Sequence, residues 1–243
     1  MKKVIFLFIA LSILSCKKKE ADDSSNTNGT YLKSIKQGSQ NIVVYTYNGL
    51  NQVIKKVTNY NGFNKETTYT YTNGKVSGET TKNNGNIIAQ YTYSYNNTGK
   101  LNRCDVGGAT NTYWNFHYLN GNIDEAAQVV GNGNAKKMTF TYQGDDIIEA
   151  KEYFYYGNIW ELQKRYNFEY DSKNNPEYLM KMPFSEVMDE NVRFWCQNNI
   201  IRFKKYNNSG QLLEDIQFDY TYNNSNYPKT LVTGNTNMTY IYK

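Results

Sequence analysis

Short segments of the chain alternate aromatic and polar residues. Tyr91, Tyr93 and Tyr95, for example, are separated by Thr92 and Ser94. Successive side chains of a β-strand point to opposite faces, so this period of two places the rings on one face and the hydroxyl groups on the other. A helix would spread the same rings around its axis. The alternation therefore predicts β-strands.

The aromatic pairs recur at a regular interval. They are Tyr45 and Tyr47, Tyr69 and Tyr71, Tyr93 and Tyr95, Phe116 and Tyr118, Phe140 and Tyr142, Phe168 and Tyr170, Phe218 and Tyr220 with Tyr222, and Tyr240 and Tyr242. From Tyr47 to Tyr142, the second tyrosines follow one another after 24, 24, 23 and 24 residues. This regularity indicates an internal repeat, which becomes looser after Tyr142.

Each repeat has room for two strands and two turns. An Asn/Gly turn such as Asn73-Gly74 follows the aromatic pair, and Asn-Gly suits a type I′ hairpin turn. The aliphatic residues that come next are Val53, Val76, Leu101, Ile123, Ile147 and Leu212. Consecutive hairpins joined by short turns form an antiparallel meander. The sequence therefore predicts an all-β fold, a strongly curved sheet or barrel of repeated hairpins with an inward aromatic face.

The N-terminus has the pattern of a secretory signal. Two lysines precede an apolar run over residues 4–14, which is too short to span a bilayer as a helix. Ile13-Leu14-Ser15-Cys16 resembles a bacterial lipobox, and the resemblance implies cleavage after Ser15 and lipidation of Cys16. An ordinary signal peptide that ends near a cysteine is the alternative.

These features divide the chain into three parts. Residues 1–15 are the predicted lipoprotein signal peptide, residues 16–30 a flexible tether from lipidated Cys16, and residues 31–243 a single β-repeat domain. Lys17 stands where enteric lipoproteins that stay in the inner membrane have aspartate. The resemblance therefore implies an outer-membrane location, with the periplasmic and surface-facing sides both open.

Several turns follow a known repeat pattern. Tyr93-Ser94-Tyr95-Asn96-Asn97-Thr98-Gly99-Lys100-Leu101 resembles the tyrosine-aspartate (YD) repeat of RHS-type shell proteins, and residues 206–212 are a second copy. Asparagine replaces the aspartate in most copies, whereas Tyr170-Asp171 keeps it. With its lipobox and tether, the chain resembles Gram-negative lipoproteins of unknown function that have a porin-like domain. The resemblance implies β-hairpins over roughly residues 40–243 and no particular activity.

Composition narrows the class of protein. Aromatic residues make up 16% of the chain, more large rings than disordered chains contain, and the mean hydropathy of −0.75 argues against a polytopic helical membrane protein. Without residues 1–15, the 25 basic and 22 acidic residues leave a net charge of +3, so nucleic acid is not an expected partner. The polar face opposite the rings favours a water-soluble barrel over one that faces lipid.

The sequence contains no motif typical of catalysis, metal binding or a cofactor. His117, the single histidine, lies between two aromatic residues and is expected on the exposed face of a strand. We therefore predict no catalytic residue, no metal site and no cofactor. Cys104 and Cys196 form either a disulfide or two half-buried free thiols.

An irregular segment interrupts the repeat near residues 171–200, with a short helix expected from Ser185 to Asn191. Such an insertion is a common place for a ligand site or a barrel plug. Trp114, Trp160 and Trp195 are the candidate ligand-binding residues, because indole rings stack on sugars and other flat ligands. Alternatively, these rings belong to the core.

The expected function is that of a non-enzymatic binding or scaffold protein. Its partners are the membrane, through the N-terminal lipid, and a glycan or an apolar ligand; no protein partner is indicated. One alternative is a carrier of a lipid or other apolar ligand, which a ring-lined cavity of several hundred Å³ would favour. The other is an exported carbohydrate-active enzyme, which two converging carboxylates would favour. A filled interior would favour the scaffold.

Overall fold

The computed structural model describes residues 31–60, 62–109, 111–183 and 192–243. Within them the chain forms 17 strands: β1 (Leu32–Gln37), β2 (Gln40–Tyr47), β3 (Val53–Tyr60), β4 (Phe63–Thr72), β5 (Lys75–Asn83), β6 (Asn86–Tyr95), β7 (Leu101–Val106), β8 (Thr112–Leu119), β9 (Asn122–Val130), β10 (Gly133–Gln143), β11 (Asp146–Tyr156), β12 (Ile159–Asn174), β13 (Asn198–Asn207), β14 (Leu212–Gln217), β15 (Asp219–Tyr222), β16 (Pro228–Thr233) and β17 (Thr236–Tyr242).

Two short 3₁₀ helices, Tyr178–Met180 and Val192–Phe194, lie between β12 and β13. No described helix has the length and apolar character needed to cross a membrane. The predicted helix from Ser185 to Asn191, the signal peptide, the tether and Cys16 lie outside the described residues.

The strands form one antiparallel meander that nearly closes into a barrel. From β1 to β14, each strand pairs with the next along the chain, and β15, β16 and β17 continue in the same way. β17 then pairs with β1, with Ile35 opposite Tyr240. The predicted all-β meander of repeated hairpins is therefore confirmed.

Aromatic rings point into the barrel. Tyr45 and Tyr93 are buried, whereas the adjacent Thr46 and Ser94 are exposed, as the period of two predicts. Buried side chains form two clusters. The first, across β5–β13, includes Tyr93, Trp114, Met138, Phe140, Tyr166, Phe168 and Phe203; the second includes Leu32, Ile35, Tyr45, Val53, Leu231 and Tyr240. Burying a large apolar side chain contributes about 1.5–3 kcal/mol, so these inward rings stabilise the curved sheet.

Asparagine and glycine form the tightest turns. In Asn73-Gly74 the φ angles are 51° and 77°, and Asn84-Gly85 and Asn120-Gly121 also have positive φ at both residues. This is the backbone of a type I′ turn, which asparagine and glycine adopt with the least strain. The hairpin turns predicted from Asn-Gly are therefore confirmed at these positions.

A longer turn is organised by the side chain of one asparagine. Oδ1 of Asn96 accepts hydrogen bonds from the backbone N–H groups of Thr98 and Lys100, both at 3.0 Å. The same pair of bonds occurs at Asn48, Asn207 and Asn223. Asn96 and Asn207 stand where the YD pattern has aspartate. An amide oxygen accepts these bonds as a carboxylate oxygen does, so asparagine preserves the turn without adding charge.

In seven of the eight repeats the second tyrosine connects its strand to the preceding repeat; in the other one, Tyr222 donates to the carboxylate of Asp171 instead. The hydroxyl group of Tyr71 donates to the carbonyl oxygen of Val53 at 2.7 Å. Equivalent bonds join Tyr47 to Leu32, Tyr95 to Val76, Tyr118 to Leu101, Tyr142 to Ile123, Tyr170 to Ile147 and Tyr242 to Pro228. In the first five repeats the strand register shifts at this tyrosine. Each shift disturbs the backbone ladder, and the tyrosine of the following repeat donates to a carbonyl beside it, as Tyr71 does to Val53, which lies opposite Tyr47.

These phenols are expected to make the fold sensitive to alkaline pH. Burial raises the pKa of Tyr71, Tyr95 and Tyr118 from 10.0 to about 12. Between pH 10 and pH 12, the unfolded chain therefore releases protons that the folded chain keeps, and the free energy of unfolding falls as pH rises. We expect the melting temperature to fall over this range, with tyrosinate absorbance rising as β-sheet circular dichroism is lost. A melting temperature that does not change between pH 10 and pH 12 would contradict this prediction.

The irregular segment folds into the barrel. β12 and β13 leave residues 175–197 between them, inside the predicted range of 171–200. We call its described part, residues 175–183 and 192–197, the plug. Val192 and Cys196 of the plug belong to the first cluster, and Met180, Met182 and Phe194 to the second. The plug therefore packs against both clusters and fills space between them.

Candidate ligand-binding cavity

One strand of the barrel wall changes its partner half-way along. β14 and β15 are separated by Phe218 alone, yet β14 pairs with β13 and β15 pairs with β16. The N–H group of Phe218 still donates to the carbonyl oxygen of Ile201 in β13, at 2.9 Å. The change of partner interrupts the regular ladder, and we call this region, residues 212–222, the seam.

A partly enclosed cavity of about 150 Å³ lies between the seam and the plug. Its apolar wall consists of Phe168, Ile200, Phe203, Ile216, Phe218 and Leu231. Its polar lining includes Asn175, Glu177, Arg193, Glu214, Tyr220 and Tyr240. An apolar wall with a few converging polar groups is the usual composition of a small-molecule site.

Two residues of the plug form the charged corner of this cavity. Nη1 of Arg193 lies 3.4 Å from Oε2 of Glu177, and the hydroxyl group of Tyr45 donates to Oε1 of Glu177 at 2.7 Å. Glu177 is 5% exposed. Arg193 also lines the cavity, and 42% of its side-chain surface is accessible. The corner is thus a buried ion pair with an accessible guanidinium.

Asn175 positions this pair. Its Nδ2 donates to the carbonyl oxygens of Arg193 at 2.5 Å and Cys196 at 2.8 Å, and its Oδ1 accepts the N–H of Glu177 at 3.0 Å. One buried amide thus joins the two ends of the plug. These bonds to backbone groups hold the segments that carry Glu177 and Arg193 next to each other.

The charges and burial determine which groups carry protons. The carboxylate of Glu177 raises the pKa of Arg193 further above its ordinary value, despite the opposing effect of desolvation. Burial and the charge of Glu177 raise the pKa of Tyr45. Burial also raises the pKa of Tyr220 and Tyr240. At neutral pH the corner therefore presents a cation and neutral phenols that can donate hydrogen bonds.

The three tryptophans do not line this cavity. Trp114 is completely buried on β8. Trp195, in the plug, packs edge-on against Phe140 with ring centroids 5.7 Å apart. Trp160, near the start of β12, lies 4.9 Å from the ring of Tyr155. Trp114 is thus part of the core, and a stacking role for these rings stays a prediction.

The structure also shows where the histidine and the two remaining cysteines lie. His117 is exposed on β8, and its Nδ1 lies 2.7 Å from Oδ1 of Asp124, as expected for the outer face of a strand. Cys104 and Cys196 are free thiols, fully rather than half buried. Burial raises the pKa of the Cys196 thiol to about 12, so the thiol stays protonated. Within the described ranges, no group of three or more His, Cys, Asp or Glu residues is placed to hold a metal ion.

Sequence reasoning missed Glu177 and Arg193. They are separated by 16 positions in a segment without regular alternation, and Glu177 meets a tyrosine 132 positions away. Their charge was the available signal, but residues 175–197 contain six charged residues. That signal becomes specific only once the insertion is known to lie inside the barrel.

No protein-family model and no curated protein matches this chain. Solved structures do match it. A porin-like protein from Bacteroides uniformis is 13% identical, with a TM-score of 0.51 over 83% of this chain and 90% of that one. Our chain is similar to it in fold. A porin-like protein from Bacteroides vulgatus is 10% identical, with a TM-score of 0.43 over 88% of this chain and 99% of that one. The first likeness confirms the predicted porin-like architecture, and at this identity it concerns the fold alone.

Proposed function

We propose that this protein is a non-enzymatic binding protein, held at the outer membrane or cell surface by a lipid on Cys16, with its ligand site in the cavity beside the plug. The observation that carries this proposal is the cavity itself, which combines an apolar wall with the ion pair of Glu177 and Arg193. The plug packs against both clusters and leaves a cavity of about 150 Å³. An engineered core cavity of that size binds benzene, so this site suits a small ligand better than a lipid chain.

The outer face supports a barrel surrounded by water. Ion pairs join neighbouring strands there, including Lys55 with Glu66 and Arg202 with Asp215. Charged side chains are destabilising where a transmembrane barrel faces lipid. This arrangement favours a domain that a lipid anchor holds near the membrane over one that crosses it with its strands.

An enzymatic role has less support from the cavity. Glu177 and Glu214 both line it, but Glu177 pairs with Arg193, and Glu214 pairs with Lys205 at 3.0 Å. Glycoside hydrolysis needs one carboxyl group that can protonate the leaving group beside a second carboxylate. Both cavity carboxylates are held in ion pairs, which favours a binding role.

Cys16→Ser is expected to release the protein from the membrane fraction. The lipobox resemblance implies that the lipid is added to the thiol of Cys16, and a serine hydroxyl group does not replace that thiol. Cell fractionation followed by immunoblotting should find the wild type with outer membranes and the variant in the soluble exported fraction.

Ser15→Ala is the matched control, because it keeps a small residue before Cys16 and should leave the protein in the membrane fraction. Mass spectrometry of the N-terminus would confirm the lipid in the wild type and in this control. A Cys16→Ser variant that remained with membranes without a lipid would show that some other part of the protein holds it there.

A further inference from the structure

The cavity presents two surfaces that a single ligand has to match. Phe168, Phe203 and Leu231 contribute to an apolar wall, and Glu177 and Arg193 place opposite charges 3.4 Å apart at its edge. We propose that the cavity binds a free apolar α-amino acid of the size of leucine or phenylalanine. This inference rests on the proposed binding role, but not on the lipid anchor or the location.

Charge balance is the first argument. Glu177 and Arg193 together carry no net charge, so a ligand with a net charge would leave one buried charge without compensation, which is unfavourable. A free amino acid carries an ammonium and a carboxylate group on the same carbon atom. With its ammonium toward Glu177 and its carboxylate toward Arg193, every charge has an opposite neighbour.

The hydrogen-bonding groups agree with this orientation. Arg193 lines the cavity with an accessible side chain. Its planar guanidinium can donate two parallel hydrogen bonds to the carboxylate of the ligand. Tyr220 and Tyr240, whose side chains hydrogen-bond to each other, line the same space. Oε1 of Glu177 accepts one bond from Tyr45, and a carboxylate oxygen can accept a second one from an ammonium group.

The apolar wall determines which side chain fits. Phe168 and Phe203 pack with their ring centroids 5.6 Å apart, and Phe218 and Leu231 extend the wall. A volume of about 150 Å³ accommodates a benzene ring or a branched aliphatic group of similar size. A sugar would leave hydroxyl groups against apolar side chains, and such buried groups without hydrogen bonds are costly.

Isothermal titration calorimetry of the full mature chain, made soluble by Cys16→Ser, would test the proposal. Leucine and phenylalanine are compared with isocaproate, which lacks the ammonium group of leucine, and isopentylamine, which lacks its carboxylate. We expect leucine to bind at least about tenfold more tightly than either analogue, because each analogue loses a charged hydrogen bond and unbalances the site. Equal affinity for leucine and the two analogues would overturn the proposal.

Conservative variants locate the binding. Arg193→Lys keeps the charge but loses the planar donor pair, and Glu177→Gln removes the partner of the ammonium; each should weaken leucine binding about tenfold or more. Arg202→Lys, which changes an arginine paired with Asp215 on the outer face, is the matched control and should bind as the wild type does. Circular dichroism verifies folding. Unchanged affinity in both folded cavity variants would overturn the assignment, and if either fails to fold, the analogue series decides.

A measurement of benzene binding distinguishes an error in the amino-acid proposal from an error in the proposed binding function. Benzene carries no charge and tests access to the apolar wall alone. Benzene binding without amino-acid binding would overturn the amino-acid proposal and leave a binding role intact. If neither benzene nor an amino acid binds, the proposed binding function is overturned as well.

Discussion

Replacing Trp114 with alanine is expected to lower the free energy of unfolding by about 3–5 kcal/mol. Trp114 is completely buried in the first cluster, opposite Cys104 of β7 and Gln128 of β9. Truncation removes the whole indole ring, and close-packed neighbours on three paired strands cannot move far enough to fill the space. Urea denaturation followed by circular dichroism would measure the difference.

Trp160→Ala is the control for this prediction. Trp160 is half-buried at one end of the barrel, where it lies against Tyr155 and under the ammonium group of Lys137. Its neighbours have more freedom to relax, so a smaller loss is expected. If the two variants lost the same free energy of unfolding, the complete burial of Trp114 would not be what makes this residue important for stability.

Arg193→Met is expected to lower the free energy of unfolding by about 3 kcal/mol, because it leaves the carboxylate of Glu177 buried without its cation. This value is at the low end for breaking a buried ion pair, since Arg193 has accessible surface in the cavity. Methionine approximately preserves the length of the side chain and its contact with the plug. Chemical denaturation of the wild type and the variant gives the difference.

A second substitution tests whether the loss comes from the isolated carboxylate. Adding Glu177→Gln to Arg193→Met should recover much of the stability, because a neutral amide is less costly to bury than an unpaired charge. Arg202→Met, which breaks the exposed pair with Asp215, should cost far less than Arg193→Met, because water screens the charges of an exposed pair. If the double variant is as unstable as the sum of its single variants, the two side chains do not interact as described.

The second residue of each aromatic pair is a feature of the sequence that the alternating pattern alone does not explain. The first aromatic residue of a pair is phenylalanine in several repeats, as at Phe116 and Phe140, whereas the second is tyrosine throughout. Alternation explains why both positions are aromatic, but not why one of them retains a hydroxyl group. The hydrogen bond from Tyr118 to the carbonyl oxygen of Leu101 supplies the reason. The bias was therefore visible beforehand, whereas its acceptor required the register of the strands.

The residues of the candidate site were harder to predict from the sequence than the strands were. Tyr45 and Tyr240 were predicted to face inward, and both contribute to the surroundings of the cavity, either directly or through Glu177. The three tryptophans predicted to bind a ligand do not line the cavity. Ring chemistry alone does not separate a core position from a binding position, because both are apolar and both are buried.

Local patterns were sufficient for the strands, the Asn-Gly turns and the antiparallel meander, because each depends on residues that are close together in the chain. The position of the seam, the entry of the plug and the pairing of Glu177 with Arg193 depend on how the barrel closes. Closure brings Tyr45 to Glu177 across 132 positions, and such contacts are selected by the shape of the remaining interior space. No local pattern specifies that shape, so the fold was predictable from the chain while the cavity was not.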